Sequence, residues 1–311
     1  MAEPIRVTVV RGGTVESEHR VHAVAVRNGE LVASAGDPSL VTFMRSSAKP
    51  IQALPLARAR ADLDERDLAI VDERDLAIAS ASHLADEAQL AAVRALLAKA
   101  PATEDDLECG PEGDPPSRLN HNCSGKHAGM LALCRTNDWP TQGYRLPAHP
   151  CQEAMLAEVA SLAEADGMRT AIDGCGVVTF ALSLEVMARI FQRFEQAEGG
   201  QSVAAAMRAH PELIRGPKAL DTNLMQALPG WIAKGGAEGL LCAASPEGLG
   251  LVLKVEDGTN RALRPALGSL LETLGLDGSA FAAVPIRNSR GEVVGELAAV
   301  EKSLHRPVDS C

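Results

Sequence analysis

Short apolar runs rich in β-branched residues open the chain. Residues 5–10 (IRVTVV) and 21–26 (VHAVAV) are bounded by Gly12-Gly13 and Asn28-Gly29, and LVASAG follows at 31–36. Val and Ile suit a pleated surface, and Gly-Gly or Asn-Gly supplies the positive φ of a tight hairpin. The pattern therefore predicts a hairpin or meander of three strands. The periodicity then changes: apolar positions recur at helical spacing over Ile51–Arg60, Glu87–Lys99, His149–Ala165, Leu182–Gln196, Ser202–His210 and Arg261–Leu274. Strand-like runs return at 248–258 (GLGLVLKVEDG) and 293–301 (VVGELAAVE). Strands at both ends with helices between them predict an α/β fold, specifically an α+β sandwich with a central sheet and a helical region. No linker is evident, so the chain reads as a single unit over 1–311 with a helical subregion around 50–170.

One internal repeat interrupts this pattern. DERDLAI occurs at 64–70 and again at 72–78. The shift of eight residues is close to two helical turns, so the extra copy is expected to lengthen a surface helix or bulge into a loop. Composition narrows the class: 311 residues, 46% hydrophobic and 23% charged, describe a soluble globular chain. A net charge of -11 argues against nucleic acid, which needs clustered Lys and Arg. The N-terminus lacks a basic start and apolar segment, and no apolar run reaches the roughly 18 residues of a membrane span. Seven cysteines without a C-x-x-C pair suit a reducing compartment, so a cytoplasmic protein is expected.

Two segments concentrate reactive side chains. In RSSAKPIQALPL (45–56), Ser46 stands three residues before Lys49, and Pro50 fits only the first turn of a helix. With Ser46 or Ser47 as N-cap, Ser46 and Lys49 lie about one turn apart near the positive helix end. Dipole and burial both oppose a charged amine there. A lysine base near neutrality must fall about 3 units from roughly 10.4. A capped helix with an exposed lysine is the competing reading.

The second segment, LNHNCSGKHAGMLALC (119–134), packs His, Asn, Cys, Lys and Gly ahead of an apolar stretch. It fails as a phosphate loop, because Asn120 and His127 occupy the positions needing Gly and a hydroxyl residue. Cys123 with His127 forms a possible nucleophile–base pair on one helical face. Alternatively, Cys123 with Lys126 or a histidine begins a metal site, with Cys175 of the IDGCGVV turn as a distant ligand and Asp173 orienting an amine. A polar cap over buried cysteines is the third reading.

Side by side, these segments resemble the asparaginase II family of the rhizobial type. The likeness is carried by VVRGGTVESEH (9–19), RSSAKPIQALPL (45–56), ASH (81–83), NHNCSGKHAGML (120–131), DGCGVVTFALSL (173–184), KGGAEG (234–239), KVEDG (254–258) and NSRGEVVGE (288–296). The resemblance implies a fold like that of serine β-lactamases and serine-dependent glutaminases, and an amidohydrolase converting L-asparagine to L-aspartate and ammonia. It implies Ser46 as nucleophile with Lys49 as base, and a second pair at Ser82 and Lys254, with Ser80 and Lys234 as rivals. It further implies zinc held by Cys123, Lys126 and Cys175, with Asp173 against the Lys126 amine. Arg45 and His127 would contact substrate, and relatives look like homodimers. Ala85 and Asp86 stand where the resemblance leads one to expect Gly–Glu. A β-lactamase-like hydrolase of another amide and a catalytically weak zinc-dependent binding protein are the rival functions.

Overall fold

The computed structural model of the chain describes residues 2–59, 71–165 and 167–300. Its strands are β1 (Ile5–Arg11), β2 (Thr14–Arg27), β3 (Glu30–Ala35), β4 (Val41–Phe43), β5 (Arg169–Ile172), β6 (Val178–Ser183), β7 (Ile232–Gly236), β8 (Leu240–Ala244), β9 (Leu249–Val255), β10 (Ala283–Arg287) and β11 (Val293–Ala299). The larger sheet runs β10-β11-β1-β2-β9-β8-β7 with β3 also on β2, and a smaller one runs β4-β6-β5. The fold is thus mixed α/β, with a large sheet built from both ends of the chain and helices supplied chiefly by its middle. Helix Glu87–Lys99 has the bounds its periodicity predicts.

The chain divides into two compact units, one of Met1–Thr42, Leu182–Gln192 and Gly235–Cys311, the other of Phe43–Ala181 and Arg193–Lys234. In the first, antiparallel hairpins follow directly from the turn residues. Arg11 pairs with Thr14 across Gly12-Gly13, and Arg27 with Glu30 across Asn28-Gly29. All four turn residues have positive φ, which is the two-residue turn geometry that matches strand twist. Residues Val21–Val26 are buried without alternation because β2 has β3 on one side and β9 on the other, and both sheet faces are covered. Helix Leu263–Thr273 packs on one face. Helix Leu184–Arg193 comes so close to β9 that a Cβ on Gly250 would lie 2.0 Å from the Ala188 carbonyl.

The second unit is built around helix Ser124–Thr136, buried all round from Ser124 to Cys134. Helix Glu73–Ala79 crosses it at two glycines: a Cβ on Gly125 would meet the Ile78 carbonyl at 2.2 Å, and one on Gly129 the Ala79 Cβ at 2.9 Å. That close approach sets where residues 80–86 leave the shorter helix. Here the second DERDLAI copy forms the helix, with Asp72 as N-cap and a reciprocal capping box to Asp75. The first copy lies outside the described residues.

Several expectations need adjustment. The expected helix Ile51–Arg60 is two short helices, Lys49–Gln52 and Leu54–Ala59, with a break at Ala53. Residues 182–183 finish β6, so the next helix begins at Leu184. Strand β2 starts seven residues earlier than the apolar run that betrays it, since Thr14–Arg20 is largely polar and pairs along β1.

Candidate active site

The second unit brings most of the chemically distinctive residues together. Residues 44 and 45 are stitched to β6: the Met44 N–H donates to the Phe180 carbonyl at 2.8 Å and the Arg45 N–H to Thr179 Oγ1 at 3.1 Å. Arg45 takes a left-handed φ of 50°, and the chain then winds through a 3₁₀ turn at Arg45–Ala48 into Lys49–Gln52, with Pro50 in the first turn. Neither serine caps this helix. Ser47 is buried and donates back to the Met44 carbonyl at 2.6 Å. Ser46 is half-buried, and among the described residues its hydroxyl has no hydrogen-bond partner.

Lys49 is fully buried, and its amine reaches the 81–82 loop. Nζ donates to the Ala81 carbonyl at 2.5 Å and to Ser82 Oγ at 2.9 Å. Lys234, at the point where β7 leaves this unit, donates to the same Ser82 oxygen at 3.0 Å. One hydroxyl therefore sits between two buried amines. Burial lowers both amine pKa values, that of Lys234 to about 7.

The amines on Ser82 are thus those of Lys49 and Lys234, while Lys254 Nζ donates to the Val255 carbonyl at 2.6 Å within the first unit. Ser80 gives its hydroxyl proton to the Leu76 carbonyl at 2.9 Å.

The Ser82 loop is anchored on three sides. The Ser82 N–H donates to the Ile214 carbonyl at 2.8 Å and the His83 N–H to the Asn122 carbonyl at 3.1 Å. The His83 ring completes the anchorage. Ser124 gives its only hydroxyl proton to the Leu119 carbonyl, so His83 Nε2, 2.8 Å away, must donate to Ser124 Oγ. Nδ1 then accepts the Ala85 N–H at 3.1 Å. Burial, with Lys49 and His121 nearby, pushes this imidazole down to about 3, so it stays neutral.

Beside the lysines lies the sulfur cluster. Cys123 is the N-cap residue of helix Ser124–Thr136, Lys126 is on its first turn, and Cys175 is in the β5–β6 turn. Lys126 Nζ lies 3.2 Å from Cys175 Sγ. The two thiols share one role between them: contact with Cys123 and the Lys126 charge hold Cys175 well below the usual thiol range, while Cys123 is pushed up. Burial disfavours charge on Lys126, but Cys175, Cys123 and Asp173 outweigh it and keep the amine protonated. Asp173 is close enough to act on Lys126, yet its hydrogen bond goes to Arg45 Nε at 2.6 Å. His127 is fully buried, with Nδ1 2.8 Å from the Tyr144 hydroxyl and Nε2 left without a hydrogen-bond partner. Among the described residues no cluster of three His, Cys, Asp or Glu has metal-binding arrangement. The donor set here includes a lysine, and two sulfurs, a buried amine and an orphaned imidazole nitrogen fit a zinc-type ion chemically.

Ser46, Lys49, Ser82, Cys123, Lys126, Cys175, Asp173, Arg45 and His127 thus all belong to this unit, and Lys254 does not. Lys234, Asp221, His83 and Tyr144 join them. Lys234 is named from the sequence only as a rival within KGGAEG, and Asp221 carries no local signal, because their partners come from segments remote in sequence. Among the described residues no helix is long and apolar enough to cross a membrane.

The chain matches the family model of L-asparaginase II over residues 7–299. No curated protein matches it. Among solved structures, a β-lactamase from Sphaerobacter thermophilus is 15% identical with a TM-score of 0.41, covering 77% of this chain and 84% of its own. A probable glutaminase from Bacillus subtilis, complexed with 6-diazo-5-oxo-L-norleucine, is 14% identical with a TM-score of 0.41, covering 83% and 85%.

Proposed function

Since the chain belongs to the L-asparaginase II family, we propose that it is an amidohydrolase converting L-asparagine to L-aspartate and ammonia through an acyl-enzyme on Ser46. The observation that supports the reading is the buried Ser82 Oγ between two buried amines, Lys234 and the Lys49 of the S-x-x-K segment.

Proton accounting gives each group a role. A neutral Lys49 amine has two protons, which match its two acceptors, the Ala81 carbonyl and Ser82 Oγ. In this reading its lone pair would take the Ser46 hydroxyl proton as Ser46 Oγ attacks the amide carbon. Ser82 Oγ accepts from both amines, so its own proton can go to the departing nitrogen, with Lys234 replacing it. The C–N bond breaks, ammonia leaves, and water cleaves the Ser46 ester. The Ser46 N–H would help receive the oxyanion. Arg45, held by Asp173, would meet the substrate carboxylate, and His127, which is buried, would support the cluster from behind.

Cys123, Lys126 and Cys175 would hold zinc, with Asp173 beside the Lys126 amine. A bound zinc would supply a Lewis-acidic centre that orients a polar group of the substrate. The same reading makes the protein a cytoplasmic homodimer, as its resemblance to the rhizobial type implies.

The test is ammonia release from L-asparagine and L-glutamine, with and without added zinc. Release from asparagine that disappears in Ser46→Ala is expected. Stoichiometric zinc binding with no ammonia from any amide would instead support a binding protein. The hydrogen bonds to Ser82 favour one second reading, in which Ser82 is the nucleophile. Mass spectrometry after trapping with an asparagine-derived diazo ketone separates the two by the peptide that carries the adduct.

A further inference from the structure

Lys234 has one buried carboxylate facing it. Asp221 Oδ2 lies 3.9 Å from Lys234 Nζ, and the two side chains are 2% and 0% exposed. With both groups buried, solvent screens the pair less than it would at the surface. Asp221 and Ser82 are also registered on one short element, the helix Pro211–Ile214. The Ile214 carbonyl takes the Ser82 N–H at 2.8 Å, and the Pro211 carbonyl takes the Thr222 hydroxyl at 2.9 Å, next to Asp221. The carboxylate, the amine and the hydroxyl are therefore held in fixed order.

From this geometry we infer that Asp221 is a positioning residue that keeps the proton on Lys234 and so gives proton transfer through Ser82 its direction. Ser82 is flanked by two chemically identical amines, and a symmetrical pair would have no preferred donor. Asp221 breaks the symmetry: Lys234 is the ammonium that feeds Ser82, and Lys49 is the amine that accepts from Ser46. The inference rests on the amidohydrolase reading for its catalytic meaning, though the charge coupling exists without it.

The groups whose fields reach Lys234 are Asp221, which raises its pKa, Lys49 and Arg215, which lower it, and Cys123, which raises it. Burial is the largest influence and lowers it, the result lying at about 7. Lys234 is charged below that value and loses its proton as pH rises through it. Activity that needs this proton must therefore decline on the alkaline side.

The experiment follows the Lys234 15Nζ resonance with pH in lysine-labelled wild-type protein and in Asp221→Asn, alongside the pH profile of kcat/KM. Removing an opposite charge at this distance is expected to lower the Lys234 midpoint by about one unit or more. The alkaline limb should move down by the same amount, KM at low pH should hardly change, and Asp221→Glu should restore most of the wild-type profile. A loss of kcat equal at every pH, with the Lys234 midpoint unmoved, would reduce Asp221 to a structural role and overturn the inference. If Asp221→Asn fails to fold, the wild type decides: the Asp221 13Cγ resonance must shift at the Lys234 midpoint, and a flat trace overturns the inference. Absence of ammonia from every amide would retire the amidohydrolase reading and leave these titrations intact, so the two failures are distinguishable.

Discussion

Ala85 occupies backbone space that glycine enters freely. Its φ is 58°, the conformation is kept by the N–H donated to His83 Nδ1, and the resemblance leads one to expect glycine there. An L-residue in this region costs about 1–2 kcal/mol, whereas glycine adds about 0.4–1 kcal/mol of unfolded-state entropy. The first effect is the larger, so Ala85→Gly should stabilise the protein by roughly 0.5–1 kcal/mol, read as a raised denaturant midpoint at unchanged slope. Destabilisation would mean that the methyl group makes contacts worth more than the strain. At the neighbouring serines the expected losses differ in kind. Ser46→Ala should remove turnover to background. Ser82→Ala keeps the nucleophile but removes the relay and the acceptor shared by two amines, and should lower kcat by about 10²–10⁴-fold. Equal, complete loss in both, with the diazo-ketone adduct on Ser82, would exchange their roles.

The packing of helix Ser124–Thr136 on helix Glu73–Ala79 sets where the Ser82 loop leaves the shorter helix. Because the Gly125 Cβ position falls 2.2 Å from a backbone carbonyl, Gly125→Ala cannot be absorbed by rotating a side chain. The helices must separate, and overpacking of this kind costs about 1–3 kcal/mol. We expect a lower melting temperature together with a fall in kcat, while Ala132→Gly, farther along the same helix, should cost stability alone. A Gly125→Ala enzyme with wild-type kcat would show that the helix spacing does not position Ser82. Helices of this kind were partly legible: Glu87–Lys99 has two charged ends, a regular apolar stripe and Asp86 as cap. The Asn28-Gly29 turn was legible because its dipeptide demands its geometry. Strands β7 and β8 were not, since each is five residues, buried throughout, and shows no alternation. The Lys234–Ser82 contact is hard to read for the same reason. Lys254 sits in an obvious strand with Glu256 and Asp257 following, whereas Lys234 precedes two glycines and finds Ser82 152 positions away. Likewise, Cys123, Lys126 and Cys175 could be read as a set from residue chemistry, but the division of protons among them depends on burial that no spacing reveals.

That division has a consequence for the stability of the whole molecule. The Lys126–Cys175 contact joins residues 49 positions apart, so an ion bound there ties the central helix to the β5–β6 turn and stabilises the folded chain by mass action. At a free zinc concentration of 100 times Kd the gain is about 2.7 kcal/mol, which should raise the melting temperature by roughly a few degrees. Cys175→Ala should show no such rise. The pH dependence identifies the ligands. Cys175 is already a thiolate, while Cys123 is held as a thiol and Lys126 as an ammonium. Binding through all three must therefore expel two protons, one from Cys123 and one from Lys126. With both pKa values above neutrality, apparent zinc affinity should rise about 100-fold per pH unit near neutral pH and fade as the pH falls. Proton release measured by calorimetry in buffers of different ionisation enthalpy checks the count. Two protons per zinc would place the Lys126 amine on the metal. One proton would leave Lys126 as an ammonium paired to Cys175, and the ion would then have to draw its nitrogen from elsewhere, with the unpartnered Nε2 of His127 already neutral and adjacent in sequence.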